Sequence, residues 1–219
     1  LENPAGPYIQ VISSLEAVKG IAEYYRQQLD IKVVGITGSV GKTSTKEVIA
    51  SVLAQKYNVL KTLGNFNNEL GLPLTVFRLR DEDEIAVLEM GISDFGEMTR
   101  LAKIAKPDTC VITNIGTCHL ENLGDRDGVL KAKTEIFKYV KKNIVLNGDD
   151  DKLSTVKEYN GIRPVFFGNG EKQHGAFVWD FTHQEKRNGN RPVSLCSCAG
   201  RDGSGGFSYH TADCAAGNG

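Results

Sequence analysis

The sequence lacks an excess of charge of either sign. Its 26 lysines and arginines stand against 27 aspartates and glutamates, for a formal net charge of −1. A chain so balanced has no general electrostatic attraction for nucleic acid. It also lacks any apolar run long enough to cross a bilayer, which excludes a helical membrane span. No secretory leader is visible, and the first residue is Leu1, so an upstream part is expected to be missing. Cysteine is scarce, at five residues, and odd in number. Cys110 falls in an apolar strand pattern, Cys196 and Cys198 are too close together for a usual zinc knuckle, and Cys214 is isolated. A disulfide framework is thereby excluded, and a reducing, cytoplasmic setting is expected.

What is present is enough for a core: 219 residues, 40% of them hydrophobic. The chain is organised around Val33–Lys46, VVGITGSVGKTSTK. A β-branched run to Ile36 turns through Gly38-Ser39-Val40-Gly41 and enters a helical pattern at Lys42-Thr43-Ser44. Strand, glycine turn and helix start are the parts of a phosphate-binding loop. Glycines let backbone N–H groups face an anion without an intervening Cβ, and the helix N-terminus adds unpaired N–H groups and a positive dipole end. Lys42 would reach the β/γ-phosphates of a nucleotide, and the Thr43 hydroxyl would ligate Mg²⁺. The general G-x-x-x-x-G-K-[ST] pattern is not met, because position 36 is Ile36 and Gly35 comes one place too early; what stands here is T-G-x-x-G-K-[ST], from Thr37 to Thr43.

In chain order, Ser13-x-x-Glu16 is a capping box. Leu15, Val18, Ala22, Tyr25 and Leu29 then fall on one helical face. A helix is expected over 43–56, a short strand over 58–62, and the polar turn Gly64–Glu69 before the apolar segment 70–79. Asn67 and Asn68 in that turn read first as helix-capping residues and second as amides presented to a substrate. The strand at 84–90 carries Glu89 near its C-terminal end, where the ligand crevice of an open parallel sheet lies and a carboxylate is well placed for Mg²⁺. A helix over 97–105 and a strand over 109–113 lead to His119, also beyond a strand C-terminus. The spacing predicts a helix over 127–139, a strand over 143–146 followed by Asn147-Gly148-Asp149-Asp150, a short helix over 153–159 and a strand over 164–167. This alternation predicts an α/β fold: a mostly parallel sheet flanked by helices, like that of P-loop nucleotide hydrolases. Residues 1–30 form a leading segment and helix, 31–170 the nucleotide-binding domain, and 171–219 an atypical tail. From position 186 the tail is rich in Gly, Ser, Asn, Ala and Cys, and it is expected to be disordered or an artefact of the source gene.

With these positions in place, the chain resembles the central ATP-binding domain of the Mur ligases. The resemblance runs from Tyr8 to about Gly170 and rests on six separated stretches in the family's order. These are GITGSVGKTSTK, GNFNNELGLPLT (64–75), LEMGISDFGEM (88–98), TNIGTCHLENLG (113–124), AKTEIF (132–137) and LNGDD (146–150). The second is similar to the branch that adds D-alanyl-D-alanine to UDP-N-acetylmuramoyl-tripeptide in peptidoglycan synthesis. The resemblance implies ATP-dependent amide formation through an acyl phosphate. It places Thr37, Gly38, Ser39, Gly41, Lys42, Thr43 and Ser44 on the ATP phosphates, and Asn147 and Asp150 toward the adenine and ribose. It gives one Mg²⁺ to Thr43 and Glu89 and a second to His119. Lys133 falls where the family carries a lysine converted by CO₂ to a carbamate, an anionic oxygen ligand for Mg²⁺. Lys42, His119 and Lys133 would be the catalytic set, and Asn67 and Asn68 would lie toward the UDP-sugar.

Two positions depart from the family. Val40 replaces a usual Asn, which removes a polar side chain but no backbone N–H, so weaker rather than abolished ATP binding is expected. Cys118 stands where a small residue such as Ala is usual. The family's N-terminal UDP-binding domain and C-terminal closing domain are not in the sequence, and the chain alone is expected to be inactive in ligation and monomeric. The alternatives are another Mur ligase or a folylpolyglutamate synthase-like ligase, and a non-catalytic nucleotide-binding fragment.

Overall fold

The computed structural model describes residues 6–168. The expectations for the first five residues and for the tail at 171–219 lie outside the described residues. Six strands form one sheet: β1 (Lys32–Thr37), β2 (Val59–Lys61), β3 (Ile85–Glu89), β4 (Thr109–Ile112), β5 (Asn143–Asn147) and β6 (Val165–Phe167). Their order is β2-β3-β1-β4-β5-β6, and every pairing is parallel. Both faces of β1, β3 and β4 are covered, so these strands read as near-continuous apolar runs rather than alternating ones.

The helices are α1 (Ser14–Gln28), α2 (Lys42–Leu53), α3 (Gly71–Val76), α4 (Glu97–Ala105), α5 (Leu120–Leu123) and α6 (Arg126–Thr134). α1, α3 and α4 pack on one another, while α2 packs on β1, β2 and β3. Ser13 Oγ caps α1 by accepting from Glu16 N–H at 3.3 Å, as the capping box predicts. The core joins Leu88 and Met90 around β3 to Leu72, Val76, Leu101, Ile112 and Leu146, all fully buried. No helix among the described residues is long and apolar enough to cross a membrane.

Three local expectations are corrected. The helix expected over 127–139 is α6 followed by a 3₁₀ turn, Glu135–Tyr139. There the Glu135 carboxylate reaches the start of α4, accepting from Gly96 N–H (3.0 Å), Thr99 N–H (3.1 Å) and Thr99 Oγ1 (2.8 Å). The helix expected over 153–159 is a single 3₁₀ turn, Leu153–Thr155. The chain must then reverse at Asn160 and Gly161, both at positive φ, where Tyr159 bridges Ile162. The segment beyond the strand expected over 109–113, for which no helix was expected, contains the short helix α5, with His119 as its N-cap in the left-handed region (φ +56°).

The strand order matters most for function. β1 lies between β3 and β4; the chain leaves β1 toward β2 on one side and leaves the neighbouring β4 toward β5 on the other. A crevice opens outside the strand C-termini at such a reversal point. It gathers the turn after β1, the end of β3 and the segment after β4.

Candidate active site

The glycine turn starts where β1 ends. Gly38 has φ +146°, and a Cβ there would run into Thr113 Oγ1. Gly41 has φ +80° and is the N-cap of α2, with no side chain to cap the helix. The first N–H groups of this 12-residue helix are therefore left for an anion. The turn is held from the segment just after β4: Asn114 Oδ1 accepts from Ser39 N–H (3.0 Å) and Val40 N–H (2.9 Å). Thr113 Oγ1 donates to Val40 O (2.6 Å), and Gly116 N–H donates to Ser39 Oγ (2.8 Å). Lys42 folds back over the turn, with Nζ 2.9 Å from Gly38 O and 3.2 Å from Ser39 O.

Beside it, Glu89 ends β3 with its carboxylate almost wholly buried, the residue being 1% exposed. Thr43 Oγ1 donates to Oε2 (3.1 Å), and Asn67 Nδ2 donates to Oε1 (2.7 Å). Lys46 Nζ lies 3.6 Å from Oε2. The Glu89 N–H is held by Thr62 Oγ1 at 2.9 Å. The Lys133 side chain is buried in the last turn of α6. Burial lowers its pKa to about 8; the Lys42 charge adds to that push and Cys118 opposes it.

Gly38, Ser39, Lys42, Asn67, His119 and Lys133 share one cleft of about 280 Å³, which Asn68 and Cys118 also line. Thr43 and Glu89 adjoin it behind Asn67. Other expected residues have different surroundings. Thr37 is fully buried, with Oγ1 lacking a hydrogen-bond partner among the described residues, and Ser44 is exposed in the first turn of α2. Asn68 Oδ1 accepts from Leu70 N–H (3.2 Å) and Gly71 N–H (2.8 Å), which is the capping arrangement its sequence context favours. Asn147 Oδ1 accepts from Asp149 N–H (3.0 Å). The Asp150 carboxylate accepts from Ile115, Lys152 and Leu153 N–H, tying the segment after β4 to the end of β5.

The donors can be tested against Mg²⁺, which favours hard oxygen ligands. Among the described residues no group of three or more His, Cys, Asp or Glu side chains could hold a metal ion. A buried carboxylate in contact with the Thr43 hydroxyl fits one Mg²⁺ that takes its remaining ligands from phosphate and water. His119 with an unmodified Lys133 offers nitrogen alone, so a second Mg²⁺ fits only if Lys133 carries a carbamate. An amine with a pKa near 8 has the neutral fraction that reacts with CO₂.

Reading the sequence alone missed Thr62, Asn114 and Lys46. Asn114 had a signal, as a polar residue just beyond a buried strand. So did Lys46, which shares the inward face of α2 with Ala50 and Leu53.

The Mur ligase middle-domain model matches residues 36–200. UDP-N-acetylmuramoyl-tripeptide–D-alanyl-D-alanine ligase of Bacillus subtilis is 50% identical over 138 residues, which is 63% of this chain and 30% of that protein. The Escherichia coli ligase of the same name is 37% identical over 162 residues, 73% of this chain and 36% of that one. The crystal structure of MurF ligase from Thermotoga maritima in complex with ADP superposes with a TM-score of 0.68 at 39% identity, covering 76% of this chain and 40% of that one. The chain spans about a third of the length of these curated relatives. It belongs to the Mur ligase family, through the middle domain that this family model describes.

Proposed function

We propose that this chain is the ATP-binding part of a cytoplasmic ligase that joins D-alanyl-D-alanine to UDP-N-acetylmuramoyl-tripeptide in peptidoglycan synthesis. Residues 31–170 form its middle domain. The observation that carries this reading is the uncapped N-terminus of α2 carrying Lys42, set beside the buried Glu89 carboxylate that accepts from the exposed Thr43, at the reversal point of a parallel sheet.

On this reading the N–H groups of Gly41, Lys42 and Thr43 hold the ATP phosphates. Lys42 swings off Gly38 and Ser39 to neutralise the transferring phosphoryl group. Glu89 and Thr43 would hold one Mg²⁺, and His119 with carbamylated Lys133 a second; bound there, Mg²⁺ supplies charge neutralisation. The substrate carboxylate attacks the γ-phosphate and ADP leaves, giving an acyl phosphate; the dipeptide amine then displaces phosphate. No protein nucleophile is needed, so the residues bind, orient and exclude water. Asn67 orients Glu89 and, with Asn68, faces the UDP-sugar side of the cleft.

Calorimetry of MgATP binding in bicarbonate buffer tests the reading. Dissociation constants on the order of micromolar to millimolar that vanish in Lys42→Ala are expected. A folded chain that binds MgATP equally well with and without Lys42 would overturn it.

A further inference from the structure

We propose that Lys46 is the internal counterion of Glu89, a positioning residue that sets how strongly this carboxylate takes a divalent cation. The metal half of the proposal rests on the reading of Glu89 as a Mg²⁺ ligand; the counterion half does not.

Lys46 is one of the largest fully buried side chains among the described residues, at 1% exposure. A cation so placed needs a partner. Its hydrogen bond, to Gly64 O, is long at 3.5 Å. Two carboxylates face it: Glu47 Oε1 at 3.4 Å and Glu89 Oε2 at 3.6 Å. Glu47 is half exposed and shares its charge with Lys61, so water and a second lysine already stabilise it. Glu89 is not so served. Its side chain is 2% exposed, and its other partners, Thr43 and Asn67, are neutral. Lys46 is its ion-pair partner among the described residues. Lys46 thus joins three pieces that must agree for the site to form: α2, the end of β3 and the turn after β2.

The oxygen nearer Lys46 is also the one that accepts from Thr43. A divalent cation taken by Glu89 and Thr43 would therefore sit beside a fixed positive charge. Lys46 balances and aims the Glu89 carboxylate without metal, and repels the metal once it binds. Removing Lys46 should destabilise the metal-free protein and tighten Mg²⁺, since coupling between two sites is reciprocal.

The test is thermal unfolding of the full 219-residue chain in EDTA and across a MgCl₂ titration. The variants are Lys46→Met, Glu89→Gln and the double variant. In EDTA, Lys46→Met should lower Tm by about 10 °C, and adding Glu89→Gln, which removes the stranded charge, should restore most of it. In MgCl₂, Lys46→Met should regain more Tm than the wild type and reach half-saturation at a concentration at least about fivefold lower. A double variant no more stable than Lys46→Met would reduce Lys46 to packing and overturn the proposal, and a Tm loss identical in EDTA and MgCl₂ would overturn its metal half. If Lys46→Met does not fold, a folded double variant supports the counterion role and an unfolded one refutes it. Mg²⁺ that stabilises none of the four proteins would overturn the metal half. MgATP binding by the wild type reads the proposed function separately.

Discussion

Ser39 and Asn114, 75 residues apart, are joined twice: the Ser39 N–H lies 3.0 Å from Asn114 Oδ1 and 3.1 Å from Asn114 O. The same amide oxygen accepts from Val40. The shape of the phosphate turn is thus set by the segment that follows β4 as well as by its own glycines. Asn114→Ala should weaken MgATP binding about tenfold, by the order of one hydrogen bond. Asn114→Asp keeps the acceptor but places a negative charge at the turn, so it should bind more weakly than Asn114→Ala. Calorimetry on both variants reads the order, and equal binding by all three proteins would remove Asn114 from the turn.

Gly38→Ala should damage the same turn from within. The new Cβ meets Thr113 Oγ1, and φ +146° is a conformation that side-chain-bearing residues rarely adopt. A loss of about 2 kcal/mol in denaturant unfolding is expected. If collision dominates, Gly38→Ala with Thr113→Ala recovers part of that loss. If backbone strain dominates, the second change recovers nothing.

Lys133 gives a pH signature. Burial holds its folded pKa near 8, below the unfolded value of 10.5, so the folded state resists the proton. The cost is full below about pH 8 and fades as pH rises toward 10.5. In CO₂-free buffer, Lys133→Met should therefore be more stable than the wild type at pH 7, by about 3 kcal/mol at most. The gain should shrink between pH 8 and 10. A constant difference across that range would mean that Lys133 is not held near neutrality. With ¹³C-bicarbonate, the wild type should show a carbamate carbon signal that Lys133→Met lacks.

Cys118 and Cys110 should separate by reactivity. Cys118 lines the cleft, while Cys110 is buried in β4, where loss of water pushes its thiol pKa far up. Peptide mapping after iodoacetamide should find Cys118 modified and Cys110 protected, with MgATP slowing the reaction at Cys118. Undiminished labelling under saturating MgATP would place the nucleotide away from Cys118.

The local parts of the molecule were written in the sequence. Val33–Ser44 announces strand, turn and helix through β-branching, glycine placement and Gly-Lys-Thr-Ser, and Ser13-x-x-Glu16 announces the cap of α1. Alternating strands and helices led to the parallel sheet, because buried parallel strands and amphipathic helices differ in period within a few residues. The motifs also placed Lys42, Glu89 and His119 at strand or helix ends, and Lys133 within the helix expected over 127–139. Tertiary structure decided which ends meet. Local periodicity does not state that β1 lies between β3 and β4, yet that order brings Glu89 to Thr43 and Asn114 to Ser39. It also decided charge: the face that Lys46 shares with Ala50 and Leu53, and the motif that holds Lys133, do not by themselves state a charge partner or a proton affinity. Burial makes one the partner of a carboxylate and lowers the proton affinity of the other, because desolvation depends on what the rest of the chain packs around a side chain.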